Sequence, residues 1–328
     1  VSRSRGFAVL LVLIAVACGD PVQPTASPGS SPTSGPLSSP SSQPSAVPTV
    51  PPSPSPSPVP SPSGSPGIGH ASGPSDLILR VTIAGGFINP VAQLFALPEI
   101  AIYGDGTVLA PDTSGEVVPP PAVPLVVATS LSEAGLQRVL AAAGVAGLLG
   151  KNAHYEGGPM AEASTTTFTV VAEGHTHTVS AYALSRPGGD TATMTAMKAL
   201  GQFEADLMDI ATLAGADGVT VAPHAYQPTA LEVFVAPAEN SGQEPSPAPL
   251  AWPLATALSS FGQPVGSDSG GSVRGPSLTC GIVTGADLAT LEPLLANAAS
   301  DSLWTSDGSL WTLTLRPELP DETSCPGV

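Results

Sequence analysis

Apolar and polar residues alternate over Asp76–Ile83 (DLILRVTI), the period-two pattern of a half-buried strand. After the loop GGFINP, the run EIAIYGDGTVLA places two strand-like stretches on either side of Gly104-Asp105-Gly106, residues that suit a turn with positive φ. This predicts a hairpin of Glu99–Tyr103 with Thr107–Ala110. A short strand, Leu125–Thr129, follows, and then the period changes. Leu136, Val139, Leu140 and Ala143 recur at helical spacing, with Ser132 placed as an N-cap and Glu133 in the first turn. Leu131 and Leu136 fit a hydrophobic staple across that start. The run STTTFTVVAEGHTHTVSAYAL reads as two strands around Glu173-Gly174. Phe168 and Val170 alternate with threonines on one, and Val179 and Ala181 alternate on the other. A second helix is predicted over 193–213, with Leu200, Phe203, Leu207 and Ile210 in register.

The second half has weaker signals. Leu231–Val235 and Thr279–Val283 read as strands, and the Pro-rich connection PSPAPLAWP contains Trp252 as a buried plug. Thr284 is placed to cap a helix with Asp287 at N3, and Leu288, Leu291 and Leu295 line its inner face. Pro293 should kink or split that helix. Leu310–Leu315 is the last strand, before RPELPDETSC. The order of elements defines an α+β fold: a mainly antiparallel sheet with two to three amphipathic helices packed on it. Residues 76–328 form that domain, either as one body or as two subdomains, 76–215 and 216–328.

The N-terminal residues follow different physics. Arg3 and Arg5 precede the eleven-residue apolar run Phe7–Ala17, the layout of a signal peptide and too short to span a bilayer. Ala15-Val16-Ala17-Cys18 resembles a bacterial lipobox, with Ala15 where leucine is usual, so residues 1–18 are expected to direct export and acylation of Cys18. The alternative is an ordinary signal peptide cut after Ala17. Residues 19–75 are mostly Pro, Ser, Thr and Gly with hardly any large apolar residue, and seventeen prolines fall between Pro21 and Pro74. Such a segment cannot bury enough surface to offset its ordering entropy and favours extended polyproline II, so a disordered tether is expected. At about 3.1 Å per residue its proline-dense tract reaches on the order of 150 Å. Location therefore reads as the outer face of the cell membrane, with membrane contact through the lipid anchor alone. The net charge of −17 repels phosphate backbones, which excludes nucleic acid as a partner.

With Cys18 assigned to lipid, Cys280 and Cys325 remain, and in an exported chain two remaining cysteines most simply pair. The alternatives are a metal pair or free thiols. Six short blocks carry a resemblance. They are Asp76–Arg80, Gly85-Gly86-Phe87, Tyr103–Gly106, Leu131–Leu136, Cys280–Val283 and Arg316–Pro320. Together they resemble uncharacterised secreted lipoproteins of high-GC bacteria, of the Actinobacteria and Chloroflexota type. The resemblance implies export and the disulfide, and it implies no activity.

Candidate chemistry is sparse. Asp268-Ser269-Gly270-Gly271 approaches the nucleophile motif of chymotrypsin-like proteases, but Ser267 replaces its first glycine. His154 is the only upstream histidine with a plausible placement, and amphipathic helices stand where that fold has barrel strands. Ser269 is read as a loop residue and a weak catalytic candidate. His175 and His177, two apart on a strand, face one way and form a weak metal candidate that needs a third ligand from His154, His224 or Glu173. Glu204, Asp206 and Asp209 read as a solvated helix surface. No cofactor motif is present. The expectation is an extracytoplasmic binding or interaction module without catalysis, whose partner is an envelope protein or a small ligand. The alternatives are an envelope hydrolase, through Ser269 or a His175/His177 metal site, and a structural envelope component.

Overall fold

The computed structural model describes residues 67–87, 90–115, 118–238, 247–265, 278–323 and 325. The alternating run at Asp76 becomes β1 (Leu77–Gly85), followed by a short helix, α1 (Pro90–Leu94). The predicted hairpin is β2 (Ile100–Tyr103) and β3 (Thr107–Pro111). Gly106 closes it at φ +87°, where a Cβ would meet the Leu131 carbonyl oxygen at 2.3 Å, so the turn requires glycine. Next come β4 (Val126–Leu131), α2 (Glu133–Val145), β5 (Ala153–Glu156), β6 (Ser164–Ala172) and β7 (His175–Tyr182). Glu173 and Gly174, at φ +52° and +72°, form the two-residue turn between β6 and β7. The chain continues through α3 (Thr191–Met208), α4 (Ile210–Ala214) and β8 (Val219–Ala225).

These strands make one sheet in the order β5-β7-β6-β1-β2-β3-β4-β8. A second sheet is built from β9 (Ala230–Pro237), β10 (Leu250–Ala251), β11 (Gln263–Pro264), β12 (Thr279–Thr284), β13 (Leu303–Ser306) and β14 (Ser309–Pro317), with α5 (Gly285–Leu295) after β12. Its order is β10-β13-β14-β9-β12-β11. Apart from the parallel pairs β5–β7 and β10–β13, neighbouring strands are antiparallel. The fold is therefore α+β. The strand Val219–Ala225 completes the first sheet, so the passage to the second sheet falls at 226–229.

The helices cover one face of each sheet. Leu136, Val139 and Leu140 of α2 and Leu200, Phe203 and Leu207 of α3 pack on Ile78, Ile100, Ile102 and Phe168. On the second sheet, Leu288 and Leu291 of α5 pack with Val233, Val235, Leu313 and Leu315, and Trp252 joins them with its ring 6.0 Å from Trp304. Three local expectations change. Asp209 takes φ −113°, ψ 59° and its carboxylate accepts from Thr212 N, so the long helix expected over 193–213 breaks there into α3 and α4. Thr284 occupies the N-cap position of α5 without a side-chain cap, because the chain enters through Gly285 at φ +56°. Pro293 neither splits nor ends α5 at once; it lies in the last turn, two residues before the helix stops at Leu295.

Residues 67–75, placed with the tether by composition, are bound to the folded body. Ile68 N donates to Gln137 Oε1 (2.7 Å) and Gln137 Nε2 donates back to Ile68 O (2.9 Å). Glu173 N donates to Gly69 O (2.7 Å), and His70 Nε2 lies 3.1 Å from Glu133 Oε1.

Candidate functional site at the seam between the sheets

The faces that the helices leave bare meet the C-terminal segment. In β2 the alternation puts Ile100 and Ile102 under the helices and turns Ala101 and Tyr103 the other way. There they pack with Leu109, Val126, Ala128 and Leu319. In β9 the same alternation gives Leu231, Val233 and Val235 to the α5 side and Phe234 to the opposite side, where it packs with Cys280, Cys325 and Phe95. The Cys280–Cys325 disulfide joins the end of the chain to this face, with 6.0 Å between Cα atoms. Phe95 meets Phe234 edge-on at 4.6 Å.

Two arginines organise the polar part of the seam. Arg316 on β14 is the cross-strand neighbour of Glu232 on β9. Its Nη1 and Nη2 donate to Glu322 Oε2 (2.6 Å) and Oε1 (2.7 Å), a bidentate pair. Leu319 N also donates to Glu322 (2.9 Å) and Glu322 N donates to Leu319 O (2.9 Å), which closes the turn after Pro317. Arg80 Nη2 and the Tyr103 hydroxyl donate to Asp321 Oδ1 at 2.6 and 2.9 Å. Burial first, then the Asp321 carboxylate, raises the Tyr103 pKa, so that hydroxyl stays protonated and keeps donating.

Glu232 is fully buried, and among the described residues no hydrogen bond reaches either of its oxygens. Arg316 Nη1 lies 3.1 Å from its Oε2, an ion pair across the two strands without hydrogen-bond geometry at either Glu232 oxygen. Burial is the main cause that pushes Glu232 up to about 7; Arg316 opposes the shift and Glu322 adds to it. For Arg316, burial works against the charge, and Glu322 and Glu232 outweigh it, leaving its pKa raised.

A cleft of about 200 Å³ opens at the edge of this seam. Val123, Pro124, Leu125 and Val126 form one wall, Tyr226, Gln227 and Pro228 another, and Pro317 of β14 a third. Tyr226 N donates to Val126 O (2.8 Å), and the ring packs beside Leu319. Burial, Glu318 and Glu322 raise the Tyr226 pKa, so its hydroxyl sits in a negative field.

The residues singled out in the sequence lie elsewhere. Cys18 and Ser269 fall outside the described residues. His175 and His177 begin β7 with ring centres 6.3 Å apart, and His177 Nδ1 is 2.7 Å from Gly150 O. No group of three His, Cys, Asp or Glu suited to a metal occurs among the described residues. His154 lies between Ser180 Oγ (2.7 Å from Nδ1) and Glu156 Oε1 (2.9 Å from Nε2), an order that resembles a nucleophile–base–acid relay. The relay lies on exposed strand surface. Ser180 belongs to β7, whose backbone is paired on both sides by β5 and β6, so its amides are committed to the ladder and not to an oxyanion. Glu204 is half-buried, contrary to the solvated reading, and burial and Glu99 raise its pKa while Thr166 bonds to it. The seam itself was missed, although one signal pointed to it: Glu232 is a lone charge inside the apolar run LEVFV.

No protein-family model, no curated protein and no solved structure matches this chain.

Proposed function

We propose that the folded body is a non-catalytic binding module, held on the outer face of the cell membrane by a lipid on Cys18 and a proline-rich spacer. The cleft beside Tyr226 carries this reading. It is concave and mostly apolar, with few polar groups, the usual character of a ligand site. Its Leu125 is 56% exposed, in a wall that a ligand would cover. The signal-peptide-like layout of residues 1–18 and the Pro/Ser composition of residues 19–66 support display away from the membrane.

A ligand-observed NMR screen of small fragments against the full chain and against Leu125→Asp tests the binding half. The reading expects binders that the variant loses while keeping its far-UV spectrum. An absence of binders, or binders indifferent to Leu125→Asp, contradicts it. The display half is tested by Cys18→Ala, which should move the protein out of the membrane fraction.

A further inference from the structure

One guanidinium lies between two carboxylates. Arg316 Nη1 donates to Glu322 Oε2 at 2.6 Å and is 3.1 Å from Glu232 Oε2. Glu322 holds both arms of the fork and the Leu319 amide as well. Glu232 holds none: among the described residues neither of its oxygens, nor Arg316 Nε, has a hydrogen-bond partner. The two carboxylates also differ in access to water, with side-chain exposures of 1% for Glu232 and 19% for Glu322. The charged groups facing Glu232 are Arg316 from β14 and Glu318 and Glu322 from the turn after it. From the other neighbouring strand, β12, its cross-strand residue is Ile282. Within the turn, Asp321 accepts from Arg80 of β1 and Tyr103 of β2.

We propose that Arg316 exchanges partners when Glu232 ionises, moving its donors from Glu322 to Glu232 and opening the turn 318–322. The cause is the unequal access to water. An enclosed carboxylate must take its donors from the protein, whereas a part-exposed one can replace a guanidinium with water. Arg316 and Glu232 are already cross-strand neighbours in ion-pair contact, so no strand has to move. Burial pushes Glu232 up to about 7, which sets the exchange near neutral pH, and Arg316 stays charged throughout. Below that pH Glu232 is a neutral acid, the fork stays on Glu322 and the turn is closed. Above it, Glu322 is released to solvent and the Leu319 amide loses its acceptor. Leu319 is buried with Tyr103, Leu109 and Val126, and Val126 also lines the cleft. Opening therefore uncovers an apolar patch beside the cleft as pH rises. The Asp321 contacts and the Cys280–Cys325 disulfide keep the segment attached, so the change is local. This switch does not depend on what the cleft binds.

NMR of the full chain at pH 5 and pH 8 tests the inference in the folded state. The carboxyl carbon of Glu232 reports its ionisation, and nuclear Overhauser contacts of the Leu319 methyls with Tyr103, Leu109 and Val126 report the turn. The expected result is that Glu232 titrates between these values and that the Leu319 contacts weaken several-fold with it. In Glu232→Gln, which cannot ionise, the contacts should be as strong at pH 8 as at pH 5. Leu319 contacts that persist in wild type while Glu232 titrates overturn the exchange, whether or not the variant folds. So does a Glu232 that does not titrate in this range, or a loss of contacts that survives in Glu232→Gln.

Discussion

Arg316 Nη1 lies 3.1 Å from Glu232 Oε2, on neighbouring strands and inside the protein, in ion-pair contact without good hydrogen-bond geometry. The guanidinium gives its forked donors to Glu322 instead. A buried pair of this kind supplies Coulombic attraction without satisfying the carboxylate, and the desolvation of Glu232 outweighs what Arg316 returns.

The pH dependence follows from that imbalance. Glu232 titrates at about 7 in the folded protein against 4.5 ordinarily, so the folded state holds the extra proton between those values. Its contribution is fully present below the unfolded value and is lost as pH rises through 7, by about 3 kcal/mol in total. Denaturant unfolding at pH 5 and pH 8 should show wild type losing most of that amount and Glu232→Gln little of it, with the variant the more stable protein at pH 8. A variant less stable at pH 8 would mean that attraction to Arg316 exceeds the burial cost.

Removing Glu322 has the opposite character. Glu322→Ala takes away the bidentate partner and leaves Arg316 buried with an unsatisfied fork, at a cost of about 3 to 5 kcal/mol. Carboxyl-carbon NMR should also show Glu232 titrating at lower pH, since the repulsion from Glu322 is gone. An unchanged Glu232 titration would contradict the coupling.

The disulfide closes a 45-residue separation. Cys325→Ser should lower stability by about 3 to 4 kcal/mol, mainly by freeing the unfolded chain. Intact mass before and after reduction, together with the melting temperature of each form, checks this. Equal melting temperatures would contradict it.

Helix capping separates two similar sequence signatures. Ser132 Oγ accepts from Gly135 N at 3.2 Å, whereas Thr284 caps nothing. Ser132→Ala should cost about 1 kcal/mol and Thr284→Ala close to none. Thermal unfolding of both variants measures the difference.

That contrast shows where sequence reading reached its limit. Ser132 and Thr284 are both polar residues before a helical period, and only the backbone angle at Gly285 distinguishes them. The first half was legible because β6 and α2 each have one buried face, which local periodicity records, and because Gly104-Asp105-Gly106 marks the β2–β3 turn. Strand β8 was missed because nearly all its residues are exposed, so it has no apolar alternation to show. The two-residue strands β10 and β11 are too short for any period. The seam joins Arg80 to Asp321 and Tyr103 to the same carboxylate across more than two hundred residues, a separation that no local pattern encodes. The lone Glu232 in an apolar strand marked the place, but not its partners.

Pro317 comes from the second sheet and the other cleft walls from the first sheet and the chain flanking it, so the proposed binding cleft requires that the two sheets be held together. Guanidinium unfolding with two probes tests this most directly. Trp252, Trp304 and Trp311 all belong to the second-sheet core, so tryptophan fluorescence reports that side alone. Hydrogen exchange of peptides from β1 to β4 reports the other. The two should lose structure in a single coincident transition in wild type and in separate transitions in Glu322→Ala. Separate transitions in wild type would show that the sheets are not held together, and that the cleft between them is not a fixed site.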